Sequence, residues 1–111
     1  MEITLQQFKR CDVVRVKGRV DSMTAPQLAQ ALHGIIEEGR FRIVVDMSEV
    51  EFVSSAGLRV LLEAQKTCKR WNRGEVVLAA LSPTVREAFE LTGFTRLFTI
   101  YDDVLSAVGA F

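Results

Sequence analysis

The spacing of hydrophobic and polar positions predicts that the chain begins with a β-hairpin. Two strand-like runs, residues 3–8 and 13–20, flank a short polar stretch. In the second run valines alternate with Arg15, Lys17 and Arg19, so one face of this strand is expected to be buried and the other solvated. We interpret the basic stripe as a solvated face near the edge of a sheet rather than as a docking surface.

After the hairpin, hydrophobic residues recur at the spacing of a helix. Thr24 and Gln27 have the spacing of a capping box, and Pro26 falls in the first turn, where its missing N–H does no harm. A hydrophobic stripe at helical spacing follows, made of Leu28, Leu32, Ile35 and Ile36. Gly39 is placed to end this helix in a left-handed conformation, and residues 41–45 are typical of a strand covered on both faces.

The alternation of helix and strand then repeats. An apolar strand at residues 76–81 follows a second helix whose hydrophobic stripe is Leu58, Leu61, Leu62 and Cys68. Ser82–Pro83 begins a third helix that Gly93 ends. A fifth strand is predicted at residues 97–101, and Asp102 is predicted to cap a terminal helix. The order β-β-α-β-α-β-α-β-α predicts an α/β fold with right-handed crossovers and a mainly parallel sheet, edged by the antiparallel hairpin.

The leucines of the second helix are expected to attach it to the sheet. Leu58, Leu61 and Leu62 recur at a spacing that places them on one side of a helix. The strand positions expected beneath them are Val44, Val45, Val77 and Leu78.

Composition places the chain among ordinary globular proteins. Its 111 residues are 49% hydrophobic and 25% charged, which suits one domain spanning residues 1–111 and excludes a disordered chain. Lysine and arginine (14) balance aspartate and glutamate (14), so no basic excess favours nucleic-acid binding. We find neither a signal-like amino terminus nor a long apolar stretch, so we expect a cytoplasmic protein with both cysteines reduced.

Polar residues gather where two of the predicted strands end. In a parallel α/β sheet, ligands and partners bind at the carboxyl ends of strands, near helix amino termini. Asp21 and Ser22 follow the second strand, and Asp46 is predicted to end the third. A loop then leads to adjacent Ser54 and Ser55 at the start of the second helix.

The paired serines leave two interpretations open. One serine is enough to cap a helix, so Ser54 or Ser55 could have only that role. Alternatively, one hydroxyl faces solvent, and a phosphate there would meet free N–H groups and the positive end of the helix dipole. In that case Gly57 would let the backbone of a partner come close.

Catalytic and metal sites find less support in the sequence. A Ser-His-Asp triad would need His33, the single histidine, which falls on the polar side of the first helix. No nucleotide-binding glycine motif is present, and Asp21 and Asp46 alone would make a weak metal site. We therefore expect no enzyme, metal or cofactor. Cations near the end of the second helix are interpreted as complementing its dipole, namely Lys66, Lys69, Arg70 and Arg73.

Several segments taken together have a more specific meaning. They are residues 16–21 (VKGRVD), 24–28 (TAPQL), 43–48 (IVVDMS), 50–58 (VEFVSSAGL) and 91–94 (LTGF). With the length and element order, they resemble the STAS domain, in particular the stand-alone bacterial anti-sigma factor antagonists. The motif of that family usually reads Asp-Ser-Ser/Ala-Gly-Leu. Matched residue by residue, Ser55 takes the phosphorylated position, Ser54 replaces the aspartate, and Asp21 and Asp46 match flanking acidic positions.

The resemblance implies a non-enzymatic partner-switching protein. Its unphosphorylated form would bind an ATP-dependent anti-sigma factor serine kinase and so release a sigma factor. The kinase would inactivate it by phosphorylating Ser55, or less favourably Ser54, and a PP2C-type serine phosphatase would restore it. The expected partner surface comprises Asp21, Ser22, Met23, Asp46, Ser54, Ser55, Gly57 and Arg59.

The expected partners are proteins only. We expect a monomer or a weak dimer that binds neither nucleic acid nor membrane. An alternative role for the same domain is an STAS interaction subunit of a transporter or of a larger signalling complex.

Overall fold

A five-stranded sheet of order β1-β2-β3-β4-β5 forms the centre of the computed structural model, which describes residues 1–111. The strands are β1 (Glu2–Gln7), β2 (Asp12–Val20), β3 (Arg42–Val53), β4 (Glu75–Ala79) and β5 (Ile100–Tyr101). The helices are α1 (Ala25–Glu37), α2 (Ser55–Lys69), α3 (Pro83–Leu91) and α4 (Val104–Gly109). Only β1 and β2 pair antiparallel, so the predicted element order and sheet type are confirmed.

The sequential strand order determines where the helices lie. Each right-handed crossover advances by one strand in the same direction, so α1, α2 and α3 all cover one face of the sheet. Between them and the sheet lies a core of 20 buried residues, whereas α4 covers only a cluster of 6 on the opposite face. The α4 face of β2 is buried at Val13 but is left open to solvent further along, at Arg15, Lys17 and Arg19.

The packing of α2 on the sheet agrees with the prediction for only part of the leucine stripe. Leu58 and Leu61 are buried in the same cluster as Val45 and Leu78, while Leu62 is only half-buried. Val44 and Val77 belong to the other cluster, beneath α4. The prediction was wrong for these two because successive strand residues point to opposite faces.

Strand β3 is longer than the sequence pattern predicted. It continues through Asp46 to Val53, where a loop was expected. Its pairing with β2 shifts twice, and at each shift β3 contributes one extra residue. Buried positions consequently recur every third residue, at Met47, Val50 and Val53, a spacing that does not resemble a regular strand.

Three predicted helix ends match the structure, namely Gly39, Ser82 and Gly93, which follows α3 at φ = 76°, and two do not. Gly39 ends α1 at φ = 80°, and the Ser82 side chain accepts a hydrogen bond from the Val85 N–H at the start of α3. Thr24 precedes α1 but makes no side-chain cap, so the capping box was wrong. The cap of α4 is Asp103 rather than Asp102, because the Asp103 carboxylate accepts from the Ser106 N–H at 2.7 Å.

Strand β5 is shorter than predicted, and a side chain of α2 takes the place of its missing part. The β5 residues pair only with Leu78 and Ala79, while the predicted start of the strand follows a 3-10 turn. Near the start of β4, where β5 does not pair, buried Gln65 accepts a hydrogen bond from the Val76 N–H at 2.6 Å. Its Nε2 donates to the carbonyls of Val76 at 3.0 Å and Leu97 at 2.8 Å. Gln65 thus fastens the middle of α2 to the sheet.

Both cysteines are buried, unpaired and on different faces of the sheet. Cys68 lies in the core beneath the helices, where burial raises the pKa of its thiol to about 11. Cys11 lies in the cluster beneath α4, and its pKa is also raised, mainly by burial. Both thiols are therefore protonated at neutral pH.

Truncating Leu61 tests how α2 is attached to the sheet. Leu61 is 1% exposed, so Leu61→Ala should lower the free energy of unfolding by roughly 2–5 kcal/mol in a urea titration. The matched control is Leu105→Ala on α4, where the side chain is 83% exposed and the change should stay within about 0.5 kcal/mol. Equal effects of the two substitutions would contradict the packing.

Candidate functional site

One backbone hydrogen bond joins the two segments that carry the candidate site. Val20 ends β2 beside Val53, which ends β3. The Ser54 N–H donates to the carbonyl of Val20 at 2.8 Å. The loop that begins at Asp21 and the start of α2 are therefore neighbours at the carboxyl end of the sheet.

The two serines have different environments. Ser54 is half-buried and caps α2, because its Oγ accepts a hydrogen bond from the Gly57 N–H at 3.4 Å. Ser55 is the first residue of the helix, is exposed, and makes no side-chain hydrogen bond. The cap uses the hydroxyl of Ser54 and leaves that of Ser55 free.

The surroundings of Ser55 favour a negative charge. The N–H groups of Ser55 and Ala56 lie in the first turn of α2, where no helical carbonyl can accept from them. The dipole of this 15-residue helix adds partial positive charge at the same end. Arg59 lies one turn further along the same side, is exposed, and is in no ion pair, so its guanidinium is available to an anion.

Asp21 shapes the loop beside the serines. Its carboxylate accepts hydrogen bonds from the N–H groups of Met23 at 3.0 Å and Thr24 at 3.1 Å, and these bonds lower the pKa of Asp21. The Thr24 hydroxyl accepts from the Asp21 N–H and donates to the carbonyl of Arg19, both at 2.9 Å, which is why it does not cap α1. The loop holds Ser22 and Met23 outward, and Met23 is 87% exposed.

Gly57 is buried, so the expectation that it admits the backbone of a partner was wrong. A Cβ at this position would lie 2.7 Å from Cγ1 of Val20 and 3.0 Å from Cγ1 of Val53. The missing side chain instead lets the first turn of α2 rest on the ends of β2 and β3. Gly57 therefore fixes the position of Ser55 by letting this turn lie close to the strand ends.

Asp46 lies outside the site, in contrast to the sequence prediction. It is 1% exposed, and its Oδ2 accepts from Nε of Arg15 at 3.0 Å. Its Oδ1 accepts from the Ser48 N–H, also at 3.0 Å, at the first irregularity of β3. Extended strand separates it from Val53 by roughly 20 Å. Asp46 has no exposed surface to offer a partner.

The basic stripe of β2 is matched side chain by side chain along β3. On the open face of the sheet, the cross-strand pairs are Arg15 with Asp46, Lys17 with Glu49 at 3.8 Å, and Arg19 over the Phe52 ring at 4.5 Å. The stripe is therefore a paired, solvated face, as the sequence interpretation held. Sequence reasoning missed Phe52, which is 39% exposed, because an aromatic side chain in an expected loop gave no signal of strand pairing.

The structure also locates the single histidine and bears on metal binding and membrane spanning. His33 is exposed on α1, and its Nε2 lies 2.9 Å from the Glu37 carboxylate rather than against either serine. The structure contains no group of three or more side chains able to hold a metal ion. None of its helices is both long and apolar enough to cross a membrane.

Known proteins match this sequence and structure over most of their length. A sequence profile of the STAS domain matches residues 2–107. BtrV of Bordetella bronchiseptica, a candidate anti-sigma factor antagonist, is 35% identical over 111 residues, which cover 100% of this chain and 95% of that protein. The anti-sigma-B factor antagonist of Listeria monocytogenes is 32% identical, covering 77% of this chain and 74% of that protein.

Among solved structures, the fold is similar to that of an anti-sigma factor antagonist from Mycobacterium paratuberculosis. The two chains superpose with a TM-score of 0.88 and are 29% identical, with 98% of this chain and 92% of that chain covered.

Adding a methyl group at Gly57 tests the close approach of α2 to the sheet. Gly57→Ala should destabilise the protein by about 1–3 kcal/mol, because buried β-branched valines cannot move aside freely. Gly34→Ala on α1 is the matched control. No atom lies within 4 Å of its added Cβ, so stability should rise by about 0.5–1 kcal/mol. Urea unfolding of both variants would contradict the geometry if the two changes had the same sign.

The Asp21 loop should weaken in acid. Because the folded-state pKa of Asp21 is lowered, its ionised carboxylate stabilises the fold above the ordinary value of 3.8. This contribution is lost as the pH falls through the lower, folded-state pKa. Asp21→Asn should therefore lower the urea midpoint at neutral pH, and the difference from wild type should shrink in acid. Glu51→Gln removes an exposed carboxylate that makes no ion pair, and should show no such trend.

Proposed function

The chain belongs to the STAS domain family and acts as an anti-sigma factor antagonist, and we propose that Ser55 is the phosphorylation switch that controls it. The observation that carries this proposal is the difference in hydrogen bonding and exposure between the two serines. The Ser54 hydroxyl caps the helix, whereas Ser55 presents a free, exposed hydroxyl at the helix amino terminus. The partner is an anti-sigma factor, and we propose that this factor is also the kinase.

The unphosphorylated surface is suited to a protein partner. Exposed Ser22, Met23, Ser55 and Arg59 surround the junction of the Asp21 loop with α2. Methionine adapts its shape to an apolar surface, and the guanidinium of Arg59 can form two parallel bonds to a carboxylate. Binding of this surface to the anti-sigma factor would displace the sigma factor.

Phosphorylation lowers the affinity of the same surface for the anti-sigma factor. The γ-phosphoryl group of ATP moves to Oγ of Ser55, the hydroxyl proton leaves, and ADP remains. The product carries about −1.5 to −2 charges. Within the domain this charge meets the positive end of α2 and the Arg59 side chain, so the fold tolerates it. In a close interface it must lose water, and a 100-fold loss of affinity needs only about 2.7 kcal/mol.

The cycle needs two further activities, both outside this chain. An ATP-dependent anti-sigma factor serine kinase adds the phosphate, and a PP2C-type serine phosphatase hydrolyses it to inorganic phosphate. The chain itself works by binding rather than by catalysis, in the cytoplasm where sigma factors act. The transporter alternative has less support, because the antagonists described above match this chain over most of its length.

A serine pair only one residue apart gives a sharp test of the switch. The anti-sigma factor that copurifies with the tagged protein is incubated with ATP and each variant, and phosphate incorporation is located by mass spectrometry. Ser55→Ala should abolish labelling and keep full binding, because the hydroxyl is lost without a new charge. Ser54→Ala should still be labelled, although loss of the cap costs about 1 kcal/mol of stability.

A charged substitution completes the series. Ser55→Asp should fold with the wild-type urea midpoint but bind the anti-sigma factor at least about tenfold more weakly. Labelling that survives in Ser55→Ala and disappears in Ser54→Ala would place the switch on Ser54 instead. Copurification of transporter subunits in place of an anti-sigma factor would favour the alternative role.

A further inference from the structure

We propose that the end of the domain opposite Ser55 is a second docking surface, which binds an acidic, flexible segment of a protein partner. Six side chains define this cationic pole: Lys9, Arg10, Arg42, Lys69, Arg70 and Arg73. All six are exposed, and none makes an ion pair or a side-chain hydrogen bond. The inference goes beyond the proposed switch, because it concerns a surface that the switch does not use.

The pole is assembled from three separate parts of the chain. Lys9 and Arg10 come from the turn between β1 and β2, and Arg42 starts β3. Lys69 ends α2, and Arg70 and Arg73 lie in and just after the 3-10 turn that follows it. Cations at the end of α2 complement its dipole, but this explanation does not extend to the turn or to the strand. The formal net charge of the chain is zero, so the basic character of the pole is not shared by the protein surface as a whole. Arg70 lies over the Trp71 ring at 5.8 Å and Arg73 over the Phe41 ring at 4.9 Å, but no carboxylate pairs with any of the six cations, so the pole can attract an anion.

The shape of the pole favours a chain segment over a flat surface. Two cavities of about 630 and 260 Å³ open here, and Arg10 and Arg42 line both. Glu75 is the one acidic side chain that lines either of them. A concave, cationic surface accepts an extended acidic peptide, whereas a bilayer would touch only its rim. The zero net charge also weakens the long-range attraction that a long polyanion such as nucleic acid would feel.

An exposed tryptophan points to a protein partner in particular. Trp71 is 73% exposed, and both it (φ = 63°) and Asn72 (φ = 56°) adopt the left-handed conformation. Asparagine tolerates this conformation, but a bulky residue such as Trp71 is strained in it, and strain of this kind clusters at functional sites. The segment is followed by Gly74, where a Cβ would clash with the Phe41 carbonyl oxygen. Tryptophan and arginine are the side chains most enriched in binding hot spots between proteins.

The two ends of the domain can be occupied at once. Helix α2 has 15 residues, so about 20 Å separates Ser55 from the end of the helix at the pole. A partner at the pole would leave the Asp21 loop and Ser55 free. The domain would then hold a second protein whether or not the switch is phosphorylated.

The experiment uses Trp71 as its own reporter, because it is the only tryptophan in the chain. The full-length protein is titrated with a fluorescein-labelled peptide of alternating glutamate and leucine, and both Trp71 emission and peptide anisotropy are recorded. We expect a blue shift on binding and an affinity that falls as salt is raised. The double variant Arg42→Glu/Lys69→Glu should weaken binding at least about tenfold. Trp71→Asn, which suits the left-handed backbone, should weaken it severalfold by anisotropy.

Matched controls separate this proposal from the switch. Arg86→Glu/Arg96→Glu makes the same change of charge elsewhere and should alter the affinity less than about twofold. Ser55→Asp should leave peptide binding unchanged, so the pole and the switch can fail independently. The proposal is overturned if the peptide does not shift Trp71 emission or if both double variants lose affinity equally. Tighter binding of oligothymidylate or of phosphatidylserine vesicles would also overturn it.

Discussion

The pairing of β2 with β3 along nearly the whole of β2 is the constraint on which the rest of this structure depends. Because β3 contributes two extra residues to that pairing, its last residue arrives level with the last residue of β2. Only then can the Ser54 N–H reach the carbonyl of Val20. The position of α2 follows from this bond, since Gly57 rests on the two strand ends and Gln65 fixes the helix further down. A shorter β3 would leave the serines apart from the Asp21 loop.

Local patterns predicted most of the fold, because most of its elements are specified locally. The helices have hydrophobic stripes at helical spacing, and Gly39 and Ser82 mark helix ends by conformational preference and hydrogen bonding. What local patterns could not predict was set by partners distant in the chain. The spacing of Met47, Val50 and Val53 makes sense only beside β2, and β5 is short because Gln65 from α2 takes the place of a strand.

The candidate site divides in the same way. Its location at the strand ends was predictable because it follows from the α/β topology, and its serine pair is visible in the sequence itself. The separate roles of Ser54 and Ser55 were not, since either hydroxyl can cap a helix and only the backbone geometry decides between them. Gly57 and Asp46 were assigned to the partner surface because residue type does not reveal burial. Both support the site or the sheet from inside.

The placement of the two cysteines has a consequence for how this domain can be observed. Each thiol is buried and protonated, and each lies in a different layer, Cys68 beneath the helices and Cys11 beneath α4. A soluble alkylating reagent reacts with thiolates, so it modifies either residue only while the layer above it is open. The alkylation rates of Cys11 and Cys68, distinguished by mass spectrometry of their peptides, would report how often each layer opens, without any engineered label.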